Sequence, residues 1–383
     1  MKVRIIMKVK ISELLYKIIL SLLMFDAAFY STTLPIVFKD KFHMICLILT
    51  LIFSVFCIFS KKYTIKYLLL NILILMFGLI SYLISGNSDI FTSLLLVMLA
   101  WNINLDEILK IIFNIRFIVF ILVVFLSLIG ILDAGTIATT SADKGVLLGY
   151  GHANTFAGSA GILVFLVFAI KRNNIKHIHY YMALIADILI FYFSRSRTSL
   201  MLISLLIVIV YMVKNSSLIN NWVLKISKYI LPLILISIFT FIFIRTKGIA
   251  PHFIDIIDKI MNGRILLACM NLMYYPITLL GQRIDMSLIA ASNTYFALDN
   301  GYIYILIHYG VIGLLVICIL QQYAITRCIN ESETILCVIS ILILCWMMYE
   351  GMMVSATANF TLLFSVVKIK KYINIKTQKG INL

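Results

Sequence analysis

The fold class predicted for this chain is all-α: a polytopic helical membrane protein with about 12 transmembrane helices and one long extracytoplasmic loop. Hydrophobic residues fill 63% of its 383 positions and charged residues 13%, a balance foreign to soluble globular domains. Apolar runs long enough to cross a bilayer as helices recur from one end to the other. None of them alternates with the two-residue period of a barrel strand.

Candidate spans fall near 14–36, 43–60, 66–84, 89–103, 108–132, 154–170, 178–193, 198–213, 227–244, 300–320, 334–350 and 355–367, within a single integral membrane domain. The fourth and the last are short. The basic start followed by an apolar run has the outline of a signal peptide. No small-residue cleavage site follows, so the first run is expected to remain as an uncleaved span. Between the ninth and tenth spans lies a loop at 245–299, too long for a plain connection. Within it Phe253, Ile256, Ile257 and Ile260 share one helical face, which predicts an amphipathic helix on the membrane surface or against the bundle.

Twelve spans put both termini on one side. That side collects 21 Lys and Arg residues against 10 on the other, with Arg116 inside a span. The positive-inside rule makes the richer side cytoplasmic. The net charge of +16 is spread around span ends, which matches anchoring to anionic lipid and not a nucleic-acid partner. Cys46, Cys57, Cys318, Cys337 and Cys345 lie in apolar spans and Cys269 in the long loop, so neither a disulfide framework nor a metal site is expected.

Ser194-Arg195-Ser196-Arg197 is then an anomaly. It separates two spans on the outer side, where positive-inside anchoring does not explain it. An arginine near the centre of a membrane helix costs about 2.5–3.5 kcal/mol on insertion scales, less at the interface, and its planar fork suits phosphate or carboxylate.

Three further clusters fall on the same side: Gly149-Tyr150-Gly151-His152-Ala153-Asn154-Thr155-Phe156, then Asn262-Gly263-Arg264 with Pro276 and Gly281, then Asp299-Asn300-Gly301-Tyr302 ahead of Gly310-Val311-Ile312-Gly313. Each has a plainer reading. His152 can be a helix-entry residue, Asn154 an N-cap, Arg264 a headgroup anchor, Asp299-Asn300 an N-cap pair, and Gly301, Gly310 and Gly313 sites of close helix packing. Their coincidence on one face is the stronger signal. Arginines can neutralise a pyrophosphate leaving group and a carboxylate can accept a proton from an attacking hydroxyl.

In order and placement these four clusters resemble the bacterial polysaccharide polymerase and O-antigen ligase family (Wzy-like and WaaL-like proteins), over roughly residues 145–320. The matching elements are His152-Ala153-Asn154-Thr155-Phe156, Ser196-Arg197-Thr198, Gly263-Arg264 with Pro276 and Gly281, and Asp299-Asn300 with Tyr302 and the Gly-x-x-Gly. The resemblance implies a multi-spanning glycosyltransferase that needs no metal or cofactor and takes glycan from undecaprenyl pyrophosphate. It implies Arg197 and Arg264 as pyrophosphate-holding residues and Asp299 as base, where ligases tend to carry His. Arg195, Arg283, His152, Asn154, Asn300 and Tyr302 are expected to bind substrate. The expected function is a surface polysaccharide (O-antigen, capsule or exopolysaccharide) polymerase in the bacterial cytoplasmic membrane, with a chain-length regulator as a candidate partner. The alternatives are a ligase to a lipid or protein acceptor, and a lipid-linked oligosaccharide flippase or other transporter.

Overall fold

The structure, a computed structural model, describes residues 2–61, 63–138, 144–284 and 298–369. The C-terminal basic segment and residues 285–297 of the long loop lie outside the described residues. In chain order the helices are α1 Lys2–Tyr30, α2 Ile36–Ser60, α3 Ile65–Ser85, α4 Asp89–Leu99, α5 Leu105–Leu128, α6 Ala153–Lys171 and α7 His177–Ser194. There follow α8 Arg197–Asn215, α9 Ser217–Thr246, α10 Pro251–Ile260, α11 Arg264–Tyr274, α12 Gly301–Asn330 and α13 Thr334–Met347. A short antiparallel hairpin, β1 Thr136–Ala138 with β2 Lys144–Val146, sits in the connection before α6.

Eight of these helices (α2, α3, α5 to α9 and α12) are long and apolar enough to cross a membrane. The chain is therefore a polytopic helical membrane protein. Helix α1 carries Glu13, Lys17 and Asp26 along its apolar stretch, and α4 and α13 are short. Pro35 ends the expected first span early, because its ring fixes the turn that starts α2.

Position in the bundle follows from side-chain size. Helix α6 is the central one: 72% of its most apolar stretch is buried, against 22% for α2 and α3, which turn Ile, Leu and Phe outward. Small residues let neighbours approach it closely. A Cβ on Gly161 would collide with Trp346 of α13, and one on Gly158 with Met352. At one end of the bundle Arg172 bridges Asp106 at 2.7 Å and Glu333 at 3.1 Å, tying α5, α6 and α13 together.

Two departures from regular helix shape the opposite end. The first is a break in α12 at Gly310, whose φ of 72° and ψ of −173° no helix tolerates. Residues 278–282 dock into that break. Val311 N–H donates to the Thr278 carbonyl at 3.0 Å, Ile312 N–H to Leu279 at 3.2 Å and Gln282 N–H to Ile307 at 3.2 Å. The backbones are so close that a Cβ on Gly281 would stand 1.9 Å from the His308 carbonyl oxygen. Irregular backbone inside a membrane protein is stable only when protein groups satisfy it in this way. Gly310 thus serves a loop-to-helix contact with Gly281, where the plainer reading of Gly310 was helix-to-helix packing.

The second departure corrects the expected twelfth span, 355–367, which is not an α-helix. After α13 the chain passes through 3₁₀ turns at Gly351–Val354 and Phe360–Ser365. Gly351 lies beside Tyr304, Thr361 accepts from Gln321, and the Phe364 and Val367 carbonyls accept from Arg327. The segment therefore runs the length of α12 alongside it, and residues 353–365 are buried throughout. Its polar backbone is matched by side chains from neighbouring helices: Ser93 Oγ accepts from Ala356 N–H at 2.8 Å, and the Arg116 guanidinium donates to the Thr357 carbonyl. That bond accounts for an arginine inside a span.

Within the long loop, α10 is the expected amphipathic helix. Phe253, Ile256 and Ile260 are exposed together, while Ile254 and Asp258 face inward. Helix α11 was not foreseen from the sequence.

Candidate functional site

The candidate residues gather where several helices begin. His152 is the N-cap of α6: its backbone is extended and its Nδ1 accepts from the Asn154 N–H at 3.1 Å. The cap is thus the histidine, not Asn154, and the bond leaves Nδ1 unprotonated, with Nε2 free to donate. Asn300 caps α12, its Oδ1 accepting from Tyr302 N–H at 3.0 Å and Ile303 N–H at 3.2 Å. With Asn300 in that role, Asp299 is left for other work. Arg264 is the first residue of α11, delivered by a tight turn in which Asn262 and Gly263 both have positive φ. Asp258 Oδ1 satisfies the start of α11, accepting from Ile265 N–H at 2.8 Å and Leu266 N–H at 3.2 Å.

Arg264 and Asp299 form an ion pair through Nη1 and Oδ2, with 12% and 23% of their side chains exposed. Arg264 Nε–H is buried with no partner, so its donor capacity is not used up. Burial raises the Asp299 carboxyl above the usual carboxylate range, against the opposing pull of the Arg264 and His152 charges. Burial likewise lowers His152 below its usual value, with Asp299 opposing and Arg264 reinforcing. The imidazole is therefore neutral at pH 7, in agreement with its capping bond.

The sequence reading missed Glu350. It lies in the turn after α13, and burial, with Asp299 adding to it and Arg264 opposing, pushes its carboxyl up to about 8. The available signal was a lone acid closing a long apolar run, which had been assigned as the last residue of a span. At pH 7 Glu350 is mostly a neutral acid beside a charged pair. The cluster thus holds a guanidinium, a carboxylate, a carboxylic acid and a neutral imidazole. Such a set can bind an anion, accept one proton and donate hydrogen bonds. Among the described residues no three His, Cys, Asp or Glu side chains are grouped as metal ligands would be.

The other expected residues are carried by α6, α8, α12 and the connections around them. Arg195 adopts a left-handed conformation to end α7, and its guanidinium lies over the rings of Tyr192 at 5.6 Å and Phe191 at 5.9 Å. Arg197, exposed, opens α8. Short connections make α6 and α8 parallel, and Gly161 faces Ile203, so the two helix starts are level and Arg197 shares the end that carries His152. Arg283 is exposed and faces Gly86. Tyr302 is buried, and its hydroxyl donates to the Leu344 carbonyl at 3.0 Å, which fixes α12 against α13. Asn154 is half-buried in the first turn of α6.

The positive ends of α6, α8 and α12 face this region, a field that favours a bound anion. Comparison of the chain with protein-family models, with curated proteins and with solved structures yields no match, so the reading of the site rests on its own residues and geometry.

Proposed function

We propose that the protein is a surface polysaccharide polymerase, transferring glycan from undecaprenyl pyrophosphate onto a lipid-linked repeat unit at the outer face of the bacterial cytoplasmic membrane, with both termini cytoplasmic. The observation that carries this reading is the part-buried Arg264–Asp299 pair, with an unfilled Nε–H, at the start of helices whose positive ends face it. A pyrophosphate arriving there competes with Asp299 for Arg264 and frees the carboxylate. An acceptor hydroxyl then attacks the anomeric carbon of the donor sugar, and Asp299 takes the hydroxyl proton. The bond between that carbon and the phosphate oxygen breaks, and the electron pair leaves with the lipid pyrophosphate, whose charge Arg264 and Arg197 hold. Neutral Glu350 and His152 Nε2–H supply hydrogen bonds without adding negative charge.

The test is a purified assay with lipid-linked repeat units in liposomes or nanodiscs. Chain extension that is lost in Arg264→Ala and only partly restored by Arg264→Lys is the expected result, since an ammonium lacks the planar fork. Transfer only to a lipid or protein acceptor would favour a ligase. Passage of intact lipid-linked units across the membrane without transfer would favour a flippase.

A further inference from the structure

A cavity of about 520 Å³ opens between α1, α2, α5, α6 and the turn joining α3 to α4, within the roughly 300–1,000 Å³ usual for small-molecule sites. Asp26 lines it and is only 4% exposed. One carboxylate oxygen, Oδ2, pairs with His43 Nδ1 at 2.6 Å, and the far ring nitrogen meets Ser88 Oγ at 3.0 Å. The other, Oδ1, is buried with no hydrogen-bond partner. A buried carboxylate oxygen without a partner, on a residue that lines the cavity, has acceptor capacity left for a ligand's donor.

The charge of the cavity defines that ligand. Asp26, Asp40 and Asp89 line it together with His43, which pairs with Asp26, and Arg116, whose guanidinium donates to the Thr357 carbonyl. Such a wall offers more carboxylate acceptors than cations, which favours hydroxyl or amino groups over a phosphate. Tyr30 and Tyr82 add ring faces. Carboxylates beside aromatic rings suit a sugar, which presents hydroxyl donors at its edge and C–H groups on its face.

Two chain segments connect the cavity to the Arg264 cluster. Thr155 and Ser159, on the cavity wall, lie on the face of α6 that His152 begins, and Met352 and Ser355 follow directly from Glu350. We propose that this cavity holds the uncharged, polyhydroxylated acceptor end of a glycan, with Asp26 Oδ1 accepting from a sugar hydroxyl, while pyrophosphate binds separately at Arg264. The acceptor role rests on the polymerase reading; sugar binding in the cavity does not.

The experiment uses the full-length protein in nanodiscs, with methyl glycosides of glucose, galactose and N-acetylglucosamine as neutral probes and inorganic pyrophosphate as the anionic one. Saturation-transfer NMR is expected to show binding of at least one glycoside, reduced at least fivefold in Asp26→Asn and in Ser159→Phe, which fills the opposite wall. Pyrophosphate binding should persist in both variants, vanish in Arg264→Ala and leave the glycoside signal unchanged. No glycoside signal in the wild type, an unaltered signal in folded Asp26→Asn, or displacement of glycoside by pyrophosphate overturns the proposal. If Asp26→Asn does not fold, Ser159→Phe decides alone. Glycoside binding by a protein that fails to extend lipid-linked units would refute the polymerase reading and leave the sugar site standing.

Discussion

Replacing Glu350 by Gln isolates the contribution of one proton to the site. With its carboxyl pushed up to about 8, Glu350 is about one-tenth ionised at pH 7 and about nine-tenths at pH 9. Ionised, it places a second negative charge beside Asp299, where the proposed function puts the donor pyrophosphate. The protonated fraction falls about tenfold over that interval, so kcat/KM of the wild type should fall about tenfold between pH 7 and pH 9, with its midpoint near 8. Glu350→Gln keeps the shape and removes the titration, so its activity at pH 7 should match the wild type within about twofold and stay flat to pH 9. Stability follows the same group. The folded protein holds this proton more tightly than the unfolded chain does. Its contribution is therefore full below the ordinary carboxylate range and is lost as pH rises through about 8. Thermal midpoints in detergent should thus separate progressively, the wild type falling below the Gln variant as pH rises from the ordinary carboxylate range and reaching its full deficit above about 8. Superimposable pH profiles for the two proteins, or a Gln variant inactive at pH 7, would refute this account of Glu350.

Three further outcomes follow from the structure. Arg264→Ala leaves Asp299 as an unpaired, largely buried carboxylate; with both side chains partly exposed, the cost should be about 1–3 kcal/mol, below the range for full burial, and is read as a fall in thermal midpoint alongside lost activity. Arg172→Met removes the shared partner of Asp106 and Glu333 at the opposite end, so about 3 kcal/mol of stability should be lost while any surviving folded protein keeps normal pyrophosphate binding at Arg264. Gly281→Ala sets a Cβ at φ +90° against the His308 carbonyl and should abolish folded protein on size-exclusion chromatography; normal yield would show that the loop is not docked at the Gly310 break.

The parts of the fold that were legible in the sequence are those that obey one local rule. Long apolar runs mark α2, α3, α5 to α9 and α12, because a helix facing lipid must be apolar over its whole length. The spacing of Phe253, Ile256 and Ile260 marks α10 for the same reason at a surface. What was not legible depends on contacts between distant segments. The segment 355–367 is apolar enough to read as a span, yet it is held irregular by Arg116, Gln321 and Arg327, side chains that reach its backbone or hydroxyls from other helices. Gly310 looks like a packing glycine, and Gly281 like an ordinary loop residue, until the 278–282 loop is seen inside α12. Of the site, Arg264 and Asp299 were read as members of one charged constellation, and the structure pairs them. Glu350 and Asp26 were not, since a single acid within or at the end of an apolar run carries no partner in its own neighbourhood of sequence.

The two irregular elements and the polar residues have a common cause. In a bilayer, a helix satisfies its own backbone and leaves nothing for a ligand, whereas a helix start or a broken segment leaves unmatched donors and acceptors that the protein must arrange deliberately. His152, Arg264 and Asn300 sit at helix starts, Glu350 and Ser355 where α13 gives way to irregular chain, and Gly281 at the break in α12. The Arg264 cluster, with its positive helix ends, favours an anion, and the Asp26 cavity, with its carboxylates, favours hydroxyl donors. Under the proposed function, opposite electrostatic preferences in the two sites would keep the donor's pyrophosphate out of the place where the acceptor sugar binds. If that division holds, introducing positive charge into the cavity, as in Asp89→Lys, should convert it from excluding pyrophosphate to binding it, while leaving pyrophosphate binding at Arg264 in place. A single class of pyrophosphate site in that variant, unchanged from the wild type, would mean that cavity charge does not set ligand choice.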